Sequence, residues 1–201
     1  MPIDRTPPQP ARPKGDQVSL VDSFRRLAAW LKEHDAARLM QSLSPGAKPV
    51  QLSKLEQKLG FPVPPGLRAL WLMHDGQRSK DDCIIGTLHL LPVAWVLNER
   101  PATLALLKRV RAEPSSLKKS GLSADEAASD NWLPVASRGK DCVIVSSATG
   151  RVFAGSGTAP SLQLLGSSVP QWLETYVAAV ERDQYGLVLG PDGAFLEPLT
   201  D

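Results

Sequence analysis

The sequence has only two cysteines, Cys83 and Cys142, among its 201 residues. Each lies in an apolar run, where a free thiol usually behaves as a small buried hydrophobic group. Small scaffolds stapled by disulfides are much richer in cysteine, so that class of protein is excluded. We expect both thiols to be reduced and to lie in the core.

Long hydrophobic runs are also missing. The longest apolar stretches are far shorter than the roughly 20 residues that a membrane-spanning helix needs. The amino terminus does not combine a positively charged start with a following apolar run, as a secretory signal would. We therefore expect no membrane partner and a cytoplasmic location.

The basic residues form no Lys- and Arg-rich run, although charge is unevenly distributed. The formal net charge is +2, but residues 1–122 carry 19 Lys and Arg against 11 Asp and Glu, whereas residues 123–201 carry 4 against 10. Aromatic residues make up only 5% of the chain. Nucleic-acid-binding proteins cluster their basic residues and interleave aromatic ones, so we expect no nucleic-acid partner.

Recognisable catalytic and cofactor-binding motifs are absent. The histidines, His34, His74 and His89, lie in no metal-ligand spacing. A GxxxxGK phosphate loop, a dinucleotide-binding glycine pattern and a GxSxG nucleophile elbow are missing as well. We expect no enzyme activity, no cofactor and no metal. His74 is interpreted as the polar end of a helix, and His89 as a packed or surface residue of a strand.

Composition and hydrophobic periodicity divide the chain into three parts. Residues 1–18 contain five prolines and almost no large apolar side chain, which predicts a disordered tail. Residues 19–183 carry helical and strand patterns and are predicted to form one domain. Residues 184–201 are predicted to form a carboxyl-terminal hairpin or another extension.

Within the domain, helical patterns come first, strand patterns follow, and a helix comes last. Predicted helices cover residues 19–31, 52–59, 65–73, 103–111 and 168–180, and predicted strands cover residues 83–91, 132–136, 141–147 and 151–154. The second helix is expected to start with a capping box from Ser53 to Glu56. Residues 113–130 are interpreted as a long polar loop with at most a short helical turn. This order of elements predicts an α+β fold.

One polar turn is the best candidate for a binding site. Asp75, Asp81 and Asp82 flank a segment that also carries basic residues, and this segment either binds a partner or is a solvated connection. The tryptophans mostly fall on apolar faces that suit the core, with Trp30 and Trp95 as exceptions. We select Asp75, Asp81, Asp82 and Trp95 as candidate partner-binding residues.

Two blocks of the sequence follow a recognisable order. The first, LSKLEQKLGFPVPPGLRALWLMHDG at residues 52–76, joins a helix, a proline-containing kink, a second helix and a polar end with glycine. The second is a Trp-led strand at residues 132–136, followed by a hairpin through residues 141–152. Together with the flanking helices, these blocks resemble the SMI1/KNR4 family, also called the SUKH superfamily, over roughly residues 20–182.

The resemblance implies a central mixed, mostly antiparallel sheet flanked by helices, and it transfers no catalytic residues. Bacterial relatives are typically immunity proteins, which bind a toxin delivered between competing cells, whereas fungal relatives regulate cell-wall synthesis as scaffolds. Because the chain has no long disordered extensions, we expect the bacterial type, with a cognate toxin or secretion-system effector as partner. The alternative is a non-enzymatic adaptor or regulatory scaffold in secretion or cell-wall assembly.

Overall fold

The computed structural model describes residues 14–190 and 193–199. The helices are α1 (Lys14–Glu33), α2 (Arg38–Gln41), α3 (Pro49–Leu59), α4 (Pro65–Met73), α5 (Val96–Ala112), α6 (Pro114–Ser120), α7 (Ala124–Ala128) and α8 (Val169–Glu181). The strands are β1 (His89–Leu90), β2 (Trp132–Arg138), β3 (Asp141–Ser146), β4 (Val152–Ser156), β5 (Ser161–Gly166), β6 (Tyr185–Gly190) and β7 (Gly193–Pro198). Among the helices of these two ranges, none combines the length and the apolar character that a bilayer crossing requires.

Five strands form the central sheet in the order β1-β2-β3-β4-β5, and all neighbouring strands pair antiparallel. Strands β6 and β7 form a separate antiparallel ladder. The α+β prediction is confirmed. Within the described part of the chain the central sheet is wholly antiparallel, so it is less mixed than the resemblance implied.

Alternation of side chains along the strands divides the core into two layers. Val143 and Val145 of β3 face the larger apolar cluster, which includes residues of α1, α4 and α8. Ile144, between them in sequence, faces the smaller cluster beneath α5, together with Trp132 and Phe153. Successive side chains along a strand point to opposite faces of the sheet, so helices can pack against both faces.

A glutamate in the first sequence block joins α3, the proline kink and α4. Oε1 of Glu56 accepts hydrogen bonds from the backbone N–H of Val63, at 3.0 Å, and from Nη1 of Arg68, at 3.1 Å. The predicted capping box at Ser53 is wrong, because α3 begins one turn earlier, at Pro49. Glu56 therefore fixes the angle between two helices instead of capping one.

The strand predicted at residues 83–91 is wrong over most of its length. Only His89–Leu90 is a strand, and the residues before it make a tight turn in which Ile85 and Leu88 exchange backbone hydrogen bonds of 2.9 and 3.2 Å. Gly86 in this turn has φ +59°, a left-handed conformation that favours glycine. The apolar run is buried, as in a strand, but its backbone reverses direction.

Residues 113–130 fold into two short helices, α6 and α7, which the polar composition did not indicate. The buried carboxylate of Glu126 in α7 accepts hydrogen bonds from the backbone N–H of Ser123, from Thr149 Oγ1 and from Arg151 Nη1, at 2.5–2.8 Å. These contacts tie the segment to the turn between β3 and β4. Strand β5 was not predicted either, because its sequence SLQLLG alternates weakly.

The amino-terminal end of the domain differs from the predicted boundary, whereas a hairpin forms at the carboxyl-terminal end, where one was predicted. Helix α1 begins at Lys14, so residues 14–18, which the sequence placed in the tail, are helical, and residues 1–13 lie outside the described residues. At the other end, β6 and β7 pack on the domain. The N–H of Cys83 donates to the carbonyl of Ala194 at 2.8 Å, and the N–H of Leu196 donates to Gly86 at 3.2 Å.

Two neighbouring residues of α4 test this packing. Trp71 is fully buried and its Nε1 donates to the carbonyl of Leu91 at 3.0 Å, whereas Leu72 is 38% exposed. We expect Trp71→Ala to lower the free energy of unfolding by about 3–5 kcal/mol, because it leaves a large cavity. Leu72→Ala, the matched control, should cost less than about 1 kcal/mol. Urea unfolding measures both, and equal losses would contradict the burial described here.

Candidate functional site

The segment between α4 and β1, residues 74–88, is called the connecting loop. Near its start lies Gly76, whose φ of +70° favours glycine. The backbone of Pro92 packs against Gly76 so closely that a Cβ at position 76 would lie 2.3 Å from the Pro92 nitrogen. Asp75 Oδ1 accepts a hydrogen bond from the N–H of Val93 at 2.7 Å. Asp75, a candidate partner-binding residue, thus anchors the start of the connecting loop to the chain beyond β1.

The side chain of Gln77 organises the interior of the connecting loop. Its Nε2 donates to Ser42 Oγ and to the carbonyl of Asp82, both at 2.7 Å. Its Oε1 accepts from the N–H of Ile84 at 3.2 Å and from that of Leu90 at 2.9 Å. Gln77 is buried, and no pattern in the sequence distinguished it from an ordinary surface glutamine.

Asp82 joins the connecting loop to the carboxyl-terminal hairpin. Its Oδ1 accepts from the N–H of Ala194 in β7 and from Nη2 of Arg38, both at 3.0 Å. The neighbouring residue, Asp81, is exposed. Its backbone packs against Gly193 so closely that a Cβ added to Gly193 would lie 2.1 Å from the carbonyl oxygen of Asp81. Of the two aspartates, Asp82 is engaged within the fold and Asp81 presents its carboxylate to solvent.

Trp95 lies beside the connecting loop at the end of a 3-10 turn, Val93–Trp95, that leads into α5. It is half-buried, and Nζ of the exposed Lys80 lies 4.6 Å from its ring centroid. The structure therefore brings Trp95, Lys80 and Asp81 to one surface. Asp75 and Asp82 stabilise this surface by accepting hydrogen bonds from the backbone N–H groups of Val93 and Ala194.

Two further residues of this surface come from distant parts of the sequence. Arg138, at the end of β2, is exposed, and its Cζ lies 5.7 Å from the ring centroid of Phe195 in β7. Strands β1 and β2 place Ser137 opposite His89, so Arg138 follows directly after that pair. Local sequence patterns could not identify Arg138 or Phe195, because only the fold brings them beside the connecting loop.

His89 lies beneath this surface, in β1. Only 6% of it is exposed, and its ring meets that of Trp95 edge-on with centroids 5.9 Å apart. Burial lowers the pKa of His89 from its ordinary value, and the positive charges of Lys80 and Arg138 lower it further. The imidazole is therefore neutral near pH 7, and the expectation of a packed strand residue is confirmed. We call Lys80, Trp95, Arg138 and Phe195, with His89 beneath them, the loop surface.

The two thiols are poorly suited to nucleophilic chemistry. Burial raises the pKa of Cys83, and burial with the nearby charge of Asp141 raises the pKa of Cys142 to about 11. A thiol that stays protonated at neutral pH is a weak nucleophile. Within residues 14–190 and 193–199, no three His, Cys, Asp or Glu side chains are grouped so that they could hold a metal ion.

Two cavities lie elsewhere on the domain. A cleft of about 280 Å³ runs between α5 and the turn that joins β2 to β3, and its lining includes Glu99, Arg109, Lys140 and Asp141. An apolar groove of about 290 Å³ separates α8 from the hairpin of β6 and β7. Neither contains the residues of the loop surface.

Comparison with known proteins identifies a family. The family model described as the SMI1 / KNR4 family (SUKH-1) matches residues 46–175, well over half of the chain. The match runs from just before α3 to the middle of α8, so α1 and the carboxyl-terminal hairpin lie outside it. No curated protein matches the sequence.

The two adjacent aspartates of the connecting loop should differ in their effect on stability. Asp82→Ala leaves the N–H of Ala194 without its acceptor and Arg38 without its anion, so we expect the free energy of unfolding to fall by about 1–3 kcal/mol. Asp81→Ala should change it by no more than about 0.5 kcal/mol. Thermal and urea unfolding of both variants provide the measurement. A neutral Asp82→Ala would show that the hairpin docks without this bond.

Proposed function

We propose that this chain, which belongs to the SMI1/KNR4 family, is an immunity protein that binds a cognate bacterial toxin and neutralises it by protein–protein contact. Family membership is consistent with a role of this type, because bacterial members of the family are typically immunity proteins. The loop surface is the structural observation that carries the proposal, since it offers half-buried aromatic and exposed cationic side chains beside a firmly anchored segment.

The anchoring of the connecting loop suits a binding role. Ordering a flexible loop on association costs free energy, and a loop that is already ordered avoids that cost. Gln77 and Asp82 fix the loop through side-chain hydrogen bonds to the backbone of three separate segments. Tryptophan and arginine, both present here, are the residues most enriched among those that dominate the energy of protein interfaces.

A non-catalytic mechanism agrees with the chemistry of the described side chains. The thiols of Cys83 and Cys142 are protonated at neutral pH, and His89 has no nucleophile as a hydrogen-bond partner. We propose that neutralisation follows from occupying a surface of the toxin. A specific inhibitory complex of this kind buries about 800 Å² on each partner.

The second candidate is an adaptor in a regulatory or secretion assembly. The charged cleft beside α5 supports it, because this cleft is lined by residues other than those of the loop surface and offers a second place for a partner, although Ser137 and Gly139, which flank Arg138, line it. An adaptor should bind several proteins with micromolar affinity, whereas an immunity protein should bind one toxin much more tightly.

Co-expression with the products of adjacent genes tests the proposal. Each neighbouring protein is produced in a bacterial host with and without this chain. We expect one of them to stop growth, and the chain to restore growth by forming a complex that can be purified and measured by calorimetry. A toxic neighbour whose effect the chain does not relieve would contradict the proposal, and several weak complexes without toxicity would favour the adaptor.

Substitutions then locate the interface. Trp95→Ala should weaken the complex by about 2 kcal/mol, roughly 30-fold, as expected for a central interface residue. Lys80→Glu should also weaken the complex, and it leaves the half-buried ring of Trp95 in place. Leu164→Ala is the matched control, because Leu164 is an exposed apolar residue on β5, at the opposite edge of the sheet. Unchanged affinity in both loop-surface variants, with unchanged melting temperature, would place the interface elsewhere.

A further inference from the structure

The loop surface contains two exposed cations that lie against aromatic rings. Lys80 lies 4.6 Å from the ring centroid of Trp95, and Arg138 lies 5.7 Å from that of Phe195. Neither cation makes a salt bridge with any carboxylate of the described residues, whereas Arg38, on the same side of the connecting loop, is paired with Asp82. Nη1 of Arg138 also lies 3.9 Å from Sγ of Cys83, a weak and neutral acceptor. Neither cation thus has a paired carboxylate, and both can still bind an anion from outside the domain.

His89, in the neighbouring strand β1, has unused hydrogen-bonding capacity. His89 is more than nine-tenths buried, yet neither Nδ1 nor Nε2 has a hydrogen-bond partner among the described residues. Buried polar side chains nearly always have a partner, so one left without any calls for an explanation. Lys80 lies over the ring of Trp95, which meets the ring of His89, and Arg138 follows Ser137, the residue paired with His89, so the three groups lie in one region.

Among the described residues, the acidic groups nearby make no salt bridge to Lys80 or Arg138. Asp82 is held by Arg38 and by the backbone of β7. Asp141 lies opposite Arg138 in the register of β2 and β3 but makes no salt bridge to it in the described structure. Asp81 is exposed beside Lys80 and hydrogen-bonds through its backbone N–H to Ser79. Lys80 and Arg138 are therefore cations without a paired carboxylate among the described residues, and they lie beside a neutral, buried imidazole.

We propose that Lys80 and Arg138 receive an Asp or Glu side chain from an acidic segment of the protein partner, with Trp95 and Phe195 packing against its neighbouring apolar atoms and His89 completing the anion's surroundings. This inference rests on the proposed function and names the chemistry of the partner at the same surface. A protein segment fits better than a small free anion, because the cations lie on an open surface beside aromatic rings and outside both cavities. Charge complementarity of this kind steers association and selects among partners.

Binding of the carboxylate is coupled to a proton. A negative charge beside Lys80 and Arg138 offsets the positive charges that hold the pKa of His89 down, so the pKa rises when the segment binds. The imidazole then takes up a proton and donates a hydrogen bond that the free protein lacks. By linkage, the affinity for an acidic segment increases as the pH falls through the histidine range.

NMR spectroscopy of the imidazole nitrogens in the full-length, isotopically labelled chain tests the proposal directly. The probe is the tripeptide acetyl-Asp-Glu-Asp-amide, and acetyl-Asn-Gln-Asn-amide is its neutral control. We expect the acidic peptide alone to shift the ring signals of His89 and to raise its pKa, while the signals of His34 and His74 stay in place. Lys80→Gln and Arg138→Gln should each weaken binding about 3-fold, and both together about 10-fold.

Lys119→Gln is the matched control variant, because Lys119 is an exposed lysine on α6, which packs against the far edge strand β5. It should bind the acidic peptide as the unsubstituted chain does. The proposal fails if His89 does not respond, if all three histidines respond alike, or if the double variant binds unchanged. It also fails if inorganic phosphate at equal concentration replaces the peptide fully, since that indicates a small-anion site. If the peptide experiment fails but the chain relieves the toxicity of a neighbouring protein in cells, the proposed function stands and the interface lies outside the loop surface.

Discussion

The buried side-chain amide of Gln77 is the interaction on which the loop surface depends. Its two N–H donors and its oxygen are fully used, by Ser42 and Asp82 on one side and by the backbone N–H groups of Ile84 and Leu90 on the other. Glutamate would lack the donors, and leucine would lack both donors and acceptor. One side chain therefore replaces the strand ladder that this irregular segment cannot form.

The consequences extend to the carboxyl-terminal hairpin, which lies outside the range matched by the family. The connecting loop, once fixed, offers the N–H of Cys83, the carbonyl of Gly86 and the carboxylate of Asp82 as partners for β7. On the other side of the turn, the hydroxyl of Tyr176 in α8 accepts from the N–H of Gly86 and donates to the carbonyl of Ile84, both at 2.9 Å. Loop, hairpin and α8 thus hold one another, and the loop surface lies on this shared support.

Periodic signals predicted the regular parts of the fold well, because period and capping are local properties. Helix α4 after its proline, strands β2, β3 and β4, and the start of helix α8 near Ser168 all follow from neighbouring residues. The same reasoning failed at residues 83–91, where an apolar run is buried without forming a strand. Burial alone does not distinguish a strand from a turn supported by a distant glutamine.

The candidate site was predictable only in part. Trp95 and Asp81 lie on the surface that the sequence selected, but Asp75 and Asp82 accept backbone hydrogen bonds whose donors lie 18 and 112 positions away. The carboxylates that looked most like binding groups thus stabilise the loop. Arg138, Phe195 and the buried state of His89 depend on strand pairing and on docking of the hairpin, which no local pattern encodes.

Amide hydrogen exchange at Ile84 and Leu90 tests most directly whether Gln77 holds the loop surface in a single, ordered arrangement. We expect both N–H groups to exchange as slowly as those of the central strand β3, because their opening requires the buried amide to lose its partners. Exchange at the rate of an open surface loop, while β3 stays protected, would show that the connecting loop is mobile and would contradict the central claim.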